Sequence, residues 1–116
     1  MTEAGSFPEQ PEPFAVTSVD SGDWWCQISL AGELDIATGP QLRQAVADAL
    51  GRGRRHVAID AGRLSFIDSG GLVALLTARN EVTAAGGSLR LTDTSAQVTR
   101  VLEMAGLADE LCDHRR

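Results

Sequence analysis

Segments with helical spacing alternate along this chain with short apolar runs of strand length, and that alternation restricts the fold more than any other feature. Between Gly39 and Leu50, the residues Leu42, Ala45, Val46, Ala49 and Leu50 recur at the i, i+3, i+4, i+7, i+8 spacing of a helix with one apolar stripe. Thr38 is a candidate cap for it, and Pro40 falls in its first turn. From Leu72 onward Leu75, Leu76 and Val82 resume the spacing until Gly86-Gly87 stops it. Val98, Val101, Leu102 and Ala105 repeat it once more, between the cap candidates Asp93, Thr94 and Ser95 and a stop at Gly106. The intervening runs read as strands. His56-Val57-Ala58-Ile59-Asp60 is nearly continuous in apolar character, which predicts a central strand buried on both faces. In Ser88 to Thr92, Leu89 and Leu91 alternate with Ser88 and Arg90.

Upstream, the β-prone stretches Phe14 to Val19 and Trp24 to Leu30 flank the turn residues Asp20-Ser21-Gly22-Asp23, which predicts a hairpin. Cys26, Ile28 and Leu30 alternate with Gln27 and Ser29, so one face of the second arm is buried. Trp24 and Trp25, being adjacent, point to opposite strand faces, which fits packing at the sheet edge better than stacking on a cofactor. The resulting order is β-β-α-β-α-β-α. Its two β-α-β units require parallel strands joined by right-handed crossovers, and the hairpin adds an antiparallel edge. The expected fold is α/β, with a mixed β-sheet of about four to five strands and three to four helices packed against it. The tail from Asp109 to Arg116 is expected to add a short edge strand or to fray.

The 116 residues suit one domain, assigned to residues 14–116. Residues 1–13 carry Pro8, Pro11 and Pro13 with Glu3, Glu9 and Glu12 and no basic or apolar block, so they read as a disordered leader rather than a secretory signal. Ten Arg, no Lys and sixteen acidic residues give a formal charge of -6, which repels nucleic-acid backbones and anionic membranes. The apolar runs fall well short of the roughly 20 residues that cross a bilayer. Cys26 and Cys112 form no CxxC pair, and with only His56 and His114 beside them they are too few for a zinc cluster. The expectation is a cytoplasmic protein without metal or cofactor.

Chemistry concentrates in Phe66-Ile67-Asp68-Ser69-Gly70-Gly71-Leu72, where an apolar run meets the start of a helix. Ser69 lies at or near an N-cap, where a hydroxyl ordinarily accepts a backbone N–H bond worth about 1 kcal/mol. A helix start also offers unpaired N–H groups and positive partial charge, so a phosphate on Ser69 is electrostatically favoured, and Gly70 and Gly71 leave the backbone uncovered. Nucleophilic catalysis is a poor fit. Ile67 stands where the elbow G-x-S-x-G has glycine, and neither His has an evident route to Ser69. No GxGxxG or GxxxxGK[ST] motif occurs. Asp35 and Asp68 both fall at strand ends, where turn-forming or capping carboxylates are the ordinary reading and an acid–base pair is not. The chain is not expected to be an enzyme.

Leu30-Ala31-Gly32-Glu33-Leu34-Asp35-Ile36-Ala37-Thr38, then Phe66-Ile67-Asp68-Ser69-Gly70-Gly71-Leu72, then Val101-Leu102-Glu103-Met104-Ala105-Gly106-Leu107, resemble in order and spacing the STAS-domain anti-sigma factor antagonists. The resemblance spans roughly Phe14 to Cys112. It implies that Ser69 corresponds to a serine phosphorylated by a partner anti-sigma factor serine kinase. The docking surface it implies comprises Asp35, Ile36, Thr38, Asp68, Ser69, Gly70, Gly71 and Leu72. The unphosphorylated form would bind the kinase and release a sigma factor, phosphorylation would end binding, and a PP2C-type phosphatase would restore it. Family members commonly carry Ser or Thr after the phosphorylated serine, whereas this chain has Gly70, so no second hydroxyl stands there. An alternative role on the same fold is a scaffold or transporter-accessory STAS module without a phosphorylation cycle.

Overall fold

The structure is a computed structural model and describes residues 12–112. The expected leader lies outside the described residues apart from Glu12 and Pro13. The elements are β1 (Ala15–Ser21), β2 (Trp25–Leu34), α1 (Gly39–Gly51), β3 (His56–Ile67), α2 (Ser69–Ala84), β4 (Ser88–Thr94), α3 (Ala96–Met104) and α4 (Ala108–Leu111). They form a four-stranded sheet in the order β1-β2-β3-β4. The hairpin pair β1–β2 is antiparallel, while β2–β3 and β3–β4 are parallel, as two β-α-β units demand. The expected element order and mixed sheet therefore hold. The described part of the tail forms the single turn α4, after which Cys112 makes one parallel bridge to Leu91 on the outer side of β4; residues 113–116 lie outside the described residues.

One face of the sheet carries the core. Cys26, Ile28 and Leu30 of β2, Val57 and Ile59 of β3, and Leu89 and Leu91 of β4 are buried against Leu42 and Val46 of α1, Leu75 and Val82 of α2, and Val98 and Leu102 of α3. Each aliphatic side chain so buried contributes about 1.5–3 kcal/mol, which is what holds helices of such modest length in place. The expectation that β3 is buried on both faces is corrected. Val57, Ile59 and Ala61 are buried, but His56, Ala58 and Asp60 remain partly exposed on the far face. The run looked continuous because Ala58, a small residue tolerated on an open face, filled the gap in the alternation.

Two strands are longer than the sequence pattern suggests. β2 continues through Gly32 and Glu33 to Leu34, and β3 continues through Gly62 to Ile67. β3 holds extra residues: Ser29 pairs with Asp60 but Ala31 with Arg63, and Gly32 pairs with Leu64 but Glu33 with Phe66. Such bulges break the period of two that marks a strand, which is why the Arg63–Phe66 stretch did not read as one. Their structural result is that Leu34 and Ile67 end side by side.

At the opposite end of the sheet the hairpin is tied to the turn after α1. Arg52 donates from Nε and Nη2 to the two carboxylate oxygens of Asp20, each at 2.9 Å, and Arg54 Nε stands 3.1 Å from Asp20 Oδ2. The Arg52 guanidinium, seconded by Arg54, holds the Asp20 carboxyl well below the usual carboxylate range. Cys26 lies beneath this pair, and burial together with the Asp20 carboxylate pushes its thiol up, away from the reactive thiolate.

Candidate functional site

Because β2 and β3 are parallel and end in register, the residues leaving them emerge together at the carboxyl end of the sheet, where open α/β sheets characteristically form sites. From β2 comes the turn Asp35-Ile36-Ala37-Thr38, and from β3 comes Asp68-Ser69 opening α2.

The turn is held by its own side chains. Asp35 Oδ1 accepts from the N–H groups of Ala37 and Thr38, each at 3.0 Å. Thr38 Oγ1 accepts from Asp35 N–H at 2.9 Å and donates to the carbonyl of Glu33 at 2.9 Å. Thr38 occupies the N-cap position of α1, yet its side chain makes no capping bond, since its hydroxyl is engaged within the turn. The expected cap is thus a turn lock. The backbone bond from Gly39 N–H to Asp35 O, 2.8 Å, closes the same loop. Ile36 is left projecting, 82% exposed.

At the start of α2 the capping residue is Asp68, not Ser69: extended at φ -119, it accepts from Gly71 N–H at 3.0 Å. Ser69 is the first residue of the helix and is exposed, and among the described residues nothing bonds to its hydroxyl. A carboxylate caps the helix, which leaves the hydroxyl uncommitted.

The two segments touch. A Cβ on Gly70 would lie 2.9 Å from the backbone N of Ile36, and one on Gly71 would lie 2.2 Å from the carbonyl O of Leu34. The paired glycines let α2 start flush against the end of β2, so Asp35, Ile36, Asp68, Ser69 and Gly70 share one surface. Gly71 is buried beneath it, and Leu72 is half-buried and packs on the core. Val73, absent from the sequence-based candidates, is 61% exposed. With Ile36, Gly39, Pro40, Gly70 and Ala74 it lines a groove of about 190 Å³ between α1 and α2. The signal for it was present in the small residues at Gly39, Gly70 and Ala74, but only the approach of α1 to α2 gives them a common use. Gln97 of α3 was also missed: its Oε1 accepts from Ile67 N–H at 3.0 Å.

Residues 17–113 match the family described as Mlab, STAS domain. The anti-sigma F factor antagonist of Paenibacillus polymyxa is 32% identical over 81 residues, 69% of each chain. The chain belongs to the STAS-domain anti-sigma factor antagonist family. Among solved structures of similar proteins, the anti-sigma factor antagonist SpoIIAA in its unphosphorylated form superposes with a TM-score of 0.74 at 27% identity, over 88% of this chain and 90% of that one. The Bacillus cell fate determinant SpoIIAA in its phosphorylated form gives 0.68 at 27% identity, over 88% and 93%. The STAS fold here is the one expected from the three sequence segments, and Leu30–Thr38 and Phe66–Leu72 are the ones that meet at the sheet's carboxyl end. Among the described residues no helix is long and apolar enough to cross a membrane.

Proposed function

We propose that the chain is a cytoplasmic anti-sigma factor antagonist that works by partner switching, with Ser69 as the phosphorylated residue. The observation that carries this is the exposed hydroxyl of Ser69 at the first position of α2, without a bond among the described residues, beside a hydrogen-bonded turn that projects Ile36. In the unphosphorylated state the surface formed by Asp35, Ile36, Thr38, Asp68, Ser69 and Gly70, with Gly71 and Leu72 supporting it from beneath, docks on an anti-sigma factor serine kinase and displaces a sigma factor. The kinase, with its own ATP and magnesium, transfers the γ-phosphoryl group to the Ser69 oxygen, and a PP2C-type phosphatase hydrolyses it off again. The protein itself contributes position and shape, not catalysis.

Phosphorylation adds about -1.5 to -2 charge at the centre of the contact. Like charges juxtaposed at an interface cost several kcal/mol, and each 1.4 kcal/mol is tenfold in affinity, so one phosphate suffices to empty the complex. Refolding is not needed. The Ser69 and Gly70 amides are the first-turn donors without an intrahelical acceptor, and they favour the anion where it forms.

Incubating the full chain with a purified anti-sigma serine kinase from the same organism and ATP, followed by intact-mass measurement, tests the reading. One added phosphate on the wild type and none on Ser69→Ala supports it. A wild type that binds no such kinase and stays unmodified overturns it and favours the scaffold or transporter-accessory role.

A further inference from the structure

β3 outruns its neighbour. Its pairing with β4 ends at Ala61↔Thr94, where β4 turns away into α3, yet β3 continues for six more residues to Ile67. Over that length β2 pairs with one edge only. Backbone groups on the other edge need partners, because a buried N–H or C=O left unpaired costs about 1–3 kcal/mol. The first turn of α3 supplies them. Ser95 Oγ donates to Leu64 O at 2.6 Å, Ser95 N–H donates to Ala61 O at 3.3 Å, and Gln97 Oε1 accepts from Ile67 N–H at 3.0 Å.

The last of these bonds falls two residues before Ser69. On the opposite side Asp68 N–H reaches Leu34 O at 3.4 Å, and Gly71 abuts the same carbonyl. The segment that presents the Ser69 hydroxyl is therefore held between the end of β2 and a single side chain of α3. α3 is itself anchored by Val98 and Leu102, both fully buried. Gln97 is half-buried, and its attachment to Ile67 crosses thirty positions of sequence.

We propose that Gln97 is a positioning residue for phosphoryl transfer to Ser69: by accepting from Ile67 N–H it sets where the hydroxyl lies when the kinase's ATP arrives. The inference rests on the reading of Ser69 as phosphoacceptor. Phosphoryl transfer depends mainly on placement of the attacking oxygen, and a 1 Å displacement can cost about a hundredfold in rate. Ile67 N–H requires only an acceptor, so Glu is an adequate replacement for Gln, and a carboxylate in the first turn of α3 is also favoured by the helix dipole. Met keeps the length and much of the packing but offers only a weak thioether acceptor.

The test compares the wild type, Gln97→Met and Gln97→Glu as kinase substrates in steady state, at a temperature well below each melting midpoint, alongside amide hydrogen exchange. For Gln97→Met, kcat for Ser69 phosphorylation is expected to fall about tenfold or more with KM within about twofold, since the docking surface is untouched but the oxygen is displaced. Exchange at Ile67 should accelerate at least about tenfold relative to the β1–β2 hairpin. Gln97→Glu should restore kcat to within about threefold of wild type. A Gln97→Met protein phosphorylated at the wild-type kcat, or a Gln97→Glu protein as slow as Gln97→Met, overturns the proposal while leaving Ser69 as phosphoacceptor intact. A wild type that is never phosphorylated removes the reading on which it rests.

Discussion

Gly71 has no room for a side chain: a Cβ would sit 2.2 Å from the Leu34 carbonyl oxygen, a backbone atom that cannot swing aside. Gly71→Ala is therefore expected to lower stability by about 1–3 kcal/mol, read from urea melts, because either α2 or the end of β2 must shift. The same displacement would separate Gly70 from Ile36 and break the shared surface. Asp68→Ala should cost about 1 kcal/mol by removing the cap on Gly71 N–H while leaving the Ser69 hydroxyl free. A melt of Asp68→Ala indistinguishable from wild type would mean the cap bond contributes nothing. Ser69→Ala is the contrasting case. Its hydroxyl bonds to nothing among the described residues, so stability should change by less than about 0.5 kcal/mol although the proposed phosphoacceptor is lost.

At the scale of elements, the hairpin and the site occupy opposite ends of the sheet and answer to different forces. The hairpin turn is clamped by Asp20 with Arg52 and Arg54, and the pairing holds the Asp20 carboxyl below its ordinary value of about 3.9. A carboxyl depressed in the folded state adds stability that is fully present above the unfolded value and is lost as pH falls toward the folded one. Acid titration should thus show wild-type stability declining below about pH 4 more steeply than that of Asp20→Asn, with the two curves parallel at higher pH. The clamp is half-exposed, so salt should weaken it. Between α1 and α2, Arg43 pairs with Glu81 at 3.0 Å, an exposed pair of small worth. What keeps the two helices together is the buried row of Leu42, Val46, Leu75 and Val82 beneath them.

For the whole molecule, the prediction concerns what phosphorylation leaves alone. If the charge acts in place, amide chemical shifts on Ser69 phosphorylation should move at Asp35–Thr38 and Asp68–Val73 and stay still in the β1–β2 hairpin. Shifts spread across the sheet would mean that the switch is a refolding event instead. Ile36→Asp should weaken kinase binding by tenfold or more, since it puts a charge on the most projecting apolar residue of the surface, about 1.4 kcal/mol per tenfold.

Element order, the core stripe of each helix and the candidate serine were legible in the sequence because each is a local property. Apolar spacing at Leu42, Val46 and Ala49 needs only the period of a helix, and Ser69 beside Gly70-Gly71 needs only the rule for helix starts. Register, by contrast, is a relation between strands. The bulges in β3 bring Ile67 level with Leu34, and that pairing decides that Asp35 and Asp68 leave the sheet together and that Ile36 stands against Gly70. The end of β4 at Thr94 likewise leaves one edge of β3 without a strand, a vacancy that Ser95 and Gln97 fill from about thirty residues away. No pattern along one segment encodes such a meeting, because the carbonyls and amides that require partners become unpaired only after the sheet has formed.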